Sequence, residues 1–278
     1  MNSQQPLNKI RRKTKDWIPA FLGTFVVLPA VLVAFGVFMQ FVTSGRFPSP
    51  SEIFRAFPHL GELNFQQQVF AGAALWTTLR RVFLATLISA VCGGLFALLL
   101  SWRHWLWGTS QATIDLLRSV PVTFFVPVVV LAVGNSPACL PWLLAAVPCS
   151  LIMLLQVRQG IVGIDKARIH TFHVLAGSSG VVARLRYVII PEIAPEFIAG
   201  MRLACSYAIV VVSVLEYFYV GSQEAGFGLL VAQVAQNTPN DPKMFAGILV
   251  FGLIGLMLNK TLELIETYVT RWKYDHDS

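Results

Sequence analysis

Apolar residues fall along this chain in long unbroken blocks, neither at every second position nor as a stripe on one helix face. The blocks cover 17–42, 82–101, 119–134, 138–157, 197–220 and 244–259. They approach or reach the roughly 20 residues with which an α-helix, rising about 1.5 Å per residue, crosses about 30 Å of hydrocarbon. Strands of a membrane barrel would alternate apolar and polar positions. The pattern therefore predicts an all-α, polytopic membrane bundle of about six transmembrane helices. The block at 197–220 is the weakest of the set, because it contains Arg202 and Glu216.

These blocks divide the chain into a basic N-terminus (1–16), a first transmembrane helix (17–42), an outer segment (43–81), a core transmembrane domain (82–265) and a C-terminal tail (266–278). The first block is longer than the apolar part of a signal peptide and lacks a small-residue cleavage site, so it reads as an uncleaved anchor. In the outer segment, Pro48 and Pro50 set an extended turn. Ser51 is then the expected cap of a short amphipathic helix carrying Ile53, Phe54 and Phe57, at the membrane surface or as a plain connector. A second outer segment, 221–243, contains Gly226 and Gly228, which permit a tight turn or a close helix approach. Asn240 or Asp241 is the expected cap of the last span.

The core domain is interrupted by a cytoplasmic loop at about 158–195, where Arg158, Lys166, Arg168, Arg184, Arg186 and Glu192 interleave with many apolar residues. Gly177-Ser178-Ser179-Gly180 reads as a turn between two short helical pieces, with Pro191 and Pro195 ending the second. A stretch this apolar is expected to dock on another protein; folding back on its own helices is the alternative.

Composition agrees with membrane residence: of 278 residues, 55% are hydrophobic and 13% charged, about half the charged share of a soluble domain. With both termini in the cytoplasm, fifteen Lys and Arg residues lie inside and five outside, Arg202 staying within a span. That asymmetry satisfies the positive-inside rule. The net charge of +7 thus serves orientation and contact with anionic membrane lipid, and no nucleic-acid module is visible. Cys92, Cys139, Cys149 and Cys205 show no CxxC spacing and read as small packing residues.

No P-loop, H-E-x-x-H or nucleophile elbow occurs, so the chain is not expected to be an enzyme. The absence of an internal repeat argues against a secondary transporter. Ionisable residues in spans are functional candidates. Glu216 and Arg202 lie about 21 Å apart along one helix, too far to pair, so each needs other partners. With Arg118 they are the candidates for a translocation path. Arg118 and Asp115 can pair at i,i+3. His170 and His173 lack a third ligand, so no metal site is expected.

Several short motifs follow one another in order. They are Phe47-Pro48-Ser49-Pro50-Ser51-Glu52-Ile53, Thr77-Thr78-Leu79-Arg80-Arg81-Val82, Asp115-Leu116-Leu117-Arg118-Ser119-Val120-Pro121 and Gly160 to Asp165. Then come Ile190-Pro191, Pro195, Gly200-Met201-Arg202, Glu216, Gly226-Phe227-Gly228 and Arg271-Trp272. From about Phe47 to Trp272 this order resembles the permease subunits of type I ABC importers (MetI-like architecture), in the nitrate, sulfonate, taurine and bicarbonate group.

The resemblance implies a permease working with a second permease subunit, identical or paralogous, beside a periplasmic solute-binding protein and an ABC ATP-binding subunit. The implied cargo is a small polar or anionic solute. No cofactor is implied on this chain, since ATP and Mg belong to the partner ATPase. His170, Phe172, Leu175, Ala176, Gly177, Ser178 and Pro191 fall in the implied coupling loop to that ATPase.

The loop departs from the family pattern: Gly177 to Pro191 is one residue longer, and no Glu precedes the Gly where the family carries one. One extra helical residue rotates a docking face by about 100°. A matching groove on the ATPase, a more regular second permease, or weakened coupling would each answer the departure; the first is preferred. The alternative function is an ATPase-uncoupled membrane channel or scaffold.

Overall fold

The computed structural model describes residues 27–43, 46–62, 64–65, 69–134, 138–176, 180–218, 226–238 and 240–269. It is helical apart from a two-residue antiparallel pair, β1 (Asn64–Phe65) and β2 (Val69–Phe70), with Asn64 opposite Phe70. The chain forms two compact units, one of residues 1–60 with 234–247, the other of 61–233 with 248–278.

In the first unit, α1 (Leu28–Val42) is apolar on all sides, and Val31, Phe35, Phe38 and Phe41 are exposed, as lipid-facing residues are. Of the first apolar block, residues 17–26 lie outside the described part. Thr43 ends the helix: its hydroxyl donates to the Met39 carbonyl at 2.7 Å and accepts the Phe47 amide at 3.0 Å. Pro48 is buried, and the short helix α2 (Pro50–Ala56) follows.

The cap of α2 is Ser49 rather than the expected Ser51. Pro50 occupies the first helical position, where a missing N–H costs nothing, so the residue before it takes the cap. Ser49 and Glu52 form a reciprocal capping box. Ile53 and Ala56 are buried while Phe54 is exposed and stacks on Phe57. Gly36 gives Pro50 room, since a Cβ there would stand 3.1 Å from its ring. Phe47 packs on Phe245, with ring centroids 4.5 Å apart. Asp241, not Asn240, caps the last helix, accepting the Lys243 amide at 2.8 Å.

The second unit is built on α3 (Ala71–Ser101), α6 (Leu140–Val162) and α9 (Ile190–Phe218). α3 begins eleven residues before the expected Val82. Small residues let these helices approach closely, as membrane helices do. A Cβ on Gly93 of α3 would lie 2.5 Å from the Ser150 carbonyl oxygen, and one on Gly200 of α9 3.0 Å from Gln156 Cβ of α6. Cys149 Sγ is 3.3 Å from the Ala204 carbonyl oxygen, tying α6 to α9. Leu144, Met153, Val157, Val212 and Leu215 form the core between them.

The third apolar block is not one straight span. α4 (His104–Ser119) stops at Val120, which Pro121 holds extended, and a 3-10 turn (Val122–Phe125) leads into α5 (Val126–Val133). The two halves are bent by 103°. The break falls at the start of the apolar block, after the polar end of α4 with Asp115 and Arg118; the restriction that Pro121 places on Val120 is its local signal.

After α6 come α7 (Lys166–Ala176) and α8 (Val181–Arg184). Pro191 and Pro195 do not end this second piece. A π-helical turn, Leu185–Ile189, carries it into α9 with Pro191 in the first turn and Pro195 inside. The wider π turn relieves the clash that the Pro191 ring would make with the Tyr187 carbonyl. The chain ends in α10 (Phe227–Asn237) and α11 (Pro242–Val269), whose apolar side chains Leu253, Met257 and Leu264 are exposed. Among the described residues, four helices are long and apolar enough to cross a membrane, and the bent pair supplies a fifth span if counted as one.

Candidate functional site

A buried ion pair sits where α3, α9 and α10 meet. Thr78 and Arg81, one turn apart on α3, face Glu216 near the end of α9. Arg81 Nη1 donates to Glu216 Oε1 at 2.7 Å. Glu216 Oε2 accepts the Thr78 hydroxyl at 2.7 Å and the Gly228 amide at 3.1 Å. The Phe227 amide in turn donates to Thr78 Oγ1 at 2.8 Å. A buried charge pair persists only when further hydrogen bonds replace the water each ion has lost. Here the threonine hydroxyl and the first backbone amides of α10 supply them.

Gly226 and Gly228 make this possible by lacking side chains. A Cβ on Gly226 would fall 2.1 Å from Glu216 Cδ, and one on Gly228 2.6 Å from the Ser213 carbonyl oxygen. Neither glycine has a positive φ, so close approach and not a turn is what the two positions serve. Phe227 then packs on Ala74 and meets the Phe251 ring at 5.0 Å.

Arg202, the second ionisable residue expected within a span, lies farther back on α9 and engages α11. Its Nε donates to Asn259 Oδ1 at 3.0 Å and its Nη1 to Glu266 at 2.8 Å, with Glu263 at 3.9 Å from Nη2. Arg202 and Glu216 do not meet, and each has its own partners. Arg118 is exposed and stands 3.7 Å from Asp115. A further arginine, Arg158, lies 3.7 Å above the centre of the Trp107 ring and reaches Ser101 Oγ at 3.2 Å. It thereby joins the ends of α3, α4 and α6. Arg81 stood in the sequence only as part of a short motif and, like Arg158, as a topological charge, with no partner assigned. The available signal was Thr78-x-x-Arg81, two polar residues one turn apart on one helix, in a chain whose Glu216 needs a cation.

The segment from 158 to 195 supplies a second surface. Asp165 Oδ1 accepts the Ala167 amide at 2.9 Å and starts α7. Ile169 packs into the bundle core and Phe172 is half-buried, while His170, Thr171 and Val174 face outward. Val174 is 70% exposed, and Val182 on α8 and Tyr187 in the π turn are 77% and 67% exposed. Arg168 Nη1 donates to Glu192 Oε2 on α9. Pro191 is half-buried. The side chains of Leu175 and Ala176 and the whole of Gly177 and Ser178 lie outside the described part. Among the described residues, Ile169 is thus seated against the bundle while Val174, Val182 and Tyr187 are exposed.

No protein-family model matches the chain. It is 24% identical over 282 residues to the putative aliphatic sulfonates transport permease protein SsuC of Bacillus subtilis, across 99% of this chain and 95% of that protein. With the taurine transport system permease protein TauC of Escherichia coli it shares 23% over 258 residues, 90% of this chain and 88% of the other. A probable ABC transporter permease protein of Brucella abortus is 22% identical over 201 residues, 72% and 77% of the two chains. Among solved structures, the MetNI methionine ABC transporter in inward-facing form superposes with TM-score 0.62 at 17% identity, over 70% of this chain and 94% of that one. An amino acid ABC transporter with histidines gives 0.55 at 19%, over 71% and 93%. The architecture is therefore the MetI-like fold of ABC importer permeases.

Proposed function

We propose that this chain, an ABC-transporter permease by sequence and fold, forms half of the path through which an ATP-driven importer takes up a small sulfonate-like anion. The outward face of α7 and the start of α8 carries this reading: Val174 and Val182 are exposed there, while Ile169 packs against the bundle core. With this segment read as cytoplasmic, apolar side chains exposed on it call for a protein partner. An ABC ATP-binding subunit that burns ATP with Mg fits that need, gripping the loop around His170, Phe172, Leu175, Ala176, Gly177 and Ser178. A second permease completes the path, and a periplasmic binding protein delivers the solute. Both termini lie in the cytoplasm, as the charge distribution favours.

The sulfonate class rests on the two relatives named for aliphatic sulfonates and taurine. Within this reading, Arg202 and Glu216 hold helices together behind the path, whereas the exposed Arg118 is open to contact by an anion.

Co-expression with the ATP-binding subunit and labelled taurine uptake in a strain lacking its own sulfonate importers test the proposal. The two chains are expected to co-purify, and Val174→Asp with Val182→Asp to separate them and abolish uptake. Retention of the ATPase by that double variant would contradict the loop's role. Failure of the unaltered pair to take up any of a panel of alkanesulfonates would contradict the solute class.

A further inference from the structure

We infer that the Arg168–Glu192 ion pair is the strut through which movement of α7 reaches α9, so that these two residues set how much transport each ATP yields. The inference rests on the reading in which an ATPase grips this loop.

Arg168 and Glu192 are 24 positions apart in the chain. Between them run the rest of α7, residues 177–180, α8 and the π-helical turn. A push on α7 travelling along the backbone would have to pass through all of these residues. The side-chain bridge bypasses them: Arg168, in the first turn of α7, donates directly to Glu192 at the root of α9. Its neighbour Ile169 packs on the same core that contains Ile193, next to Glu192. Arg168 thus holds the root of α9 by an ionic contact, and Ile169 beside it seats α7 against the bundle core.

α9 is suited to carry what it receives. It runs unbroken from Ile190 to Phe218, and polar ties lie at its root (Glu192), its middle (Arg202 to α11) and its far end (Glu216 to α3 and α10). From Glu192 to Glu216 is about 36 Å of helix. A rigid element with a load at one end and fixed partners at the other is the physical form in which sites far apart are coupled. The strut itself is partly exposed, with Arg168 more open than Glu192. Glu192 is only 12% exposed, so its loss bears on folding as well, and the exchanged pair, which keeps both charges at the site, is what separates transmission from folding.

The test uses the assembled transporter reconstituted with its ATP-binding subunit, and reads taurine uptake per ATP hydrolysed. Arg168→Glu and Glu192→Arg are each expected to co-purify with the ATPase and to hydrolyse ATP. Uptake per ATP is expected to fall at least about fivefold, the low end of ordinary coupling between sites. Glu192→Gln, which keeps the shape and drops the charge, is expected to fall in the same direction. The exchanged pair, Arg168→Glu with Glu192→Arg, is expected to recover most of the loss. An unchanged ratio in the single variants, or an exchanged pair no better than either single, overturns the strut while leaving the proposed function standing. Loss of the ATPase from the unaltered chain would sink both.

Discussion

Arg81 and Glu216 meet at 2.7 Å across 135 positions of sequence, each with a side chain only 2% exposed. Removing one member of such a pair strands the other charge in a medium that cannot solvate it, at about 3–5 kcal/mol. Glu216→Ala is expected to lower stability by that amount. Replacing both, as Arg81→Met with Glu216→Leu, is expected to restore most of it. Melting of the purified protein in detergent gives the two single values and the coupling between them.

Gly226→Ala is expected to be as damaging as loss of the carboxylate itself. The added methyl would stand 2.1 Å from Glu216 Cδ, with a buried ion pair behind it that has nowhere to retreat. Gly108→Ala is the control, since nothing lies within 4 Å of the new atom. On a helix the exchange gains about 0.5–1 kcal/mol. Comparing the yield of monodisperse protein for the two variants checks the contrast.

Glu52 in the capping box is held below the usual carboxylate range, first by the Ser49 amide and then by the Ser49 hydroxyl. Because the folded carboxylate gives up its proton more readily than the unfolded one, the cap is at full strength above the ordinary carboxylate pKa. It is lost as pH falls through the depressed value. Ser49→Ala removes the hydroxyl and keeps the amide. Its titration, followed by carboxyl-carbon NMR of Glu52, is expected to move part of the way up. The helix is expected to lose about 1 kcal/mol.

Trp107 shields Arg158 with the face of its ring at 3.7 Å. Trp107→Leu keeps the bulk and removes the π-face, and is expected to cost about 1 kcal/mol. Trp107→Phe is expected to retain part of the interaction. Thermal shifts of the two variants, ranked against the parent, decide between a cation–π contact and simple packing.

The span-forming helices were legible because hydrocarbon demands unbroken apolar stretches, and 138–157 and 244–259 can be little else. What escaped was whatever depends on partners far off in sequence. Ala71–Trp76 reads as loop or helix until Ala74 is seen packing beneath Phe227. Arg81 reads as one of several outer charges until Glu216 is folded against it. The 103° bend at Val120–Pro121 is set by how α4 and α5 pack, and only Pro121 marks it locally. Pro191 and Pro195 carry the usual mark of a helix end, and only the π turn ahead of them lets the helix continue. For the site, Glu216 stood out for its cost in a membrane, but a single residue type cannot name the cation that offsets it.

The distance in sequence between Arg81 and Glu216 also fixes an order of events during synthesis. α3 leaves the ribosome carrying Arg81 long before its carboxylate exists, and a guanidinium without that counter-ion holds the helix toward the headgroups. α3 therefore reaches its final depth only once α9 has been made. The amides of Phe227 and Gly228 arrive later still, so the hydrogen bonds around the pair are complete only when α10 has been made.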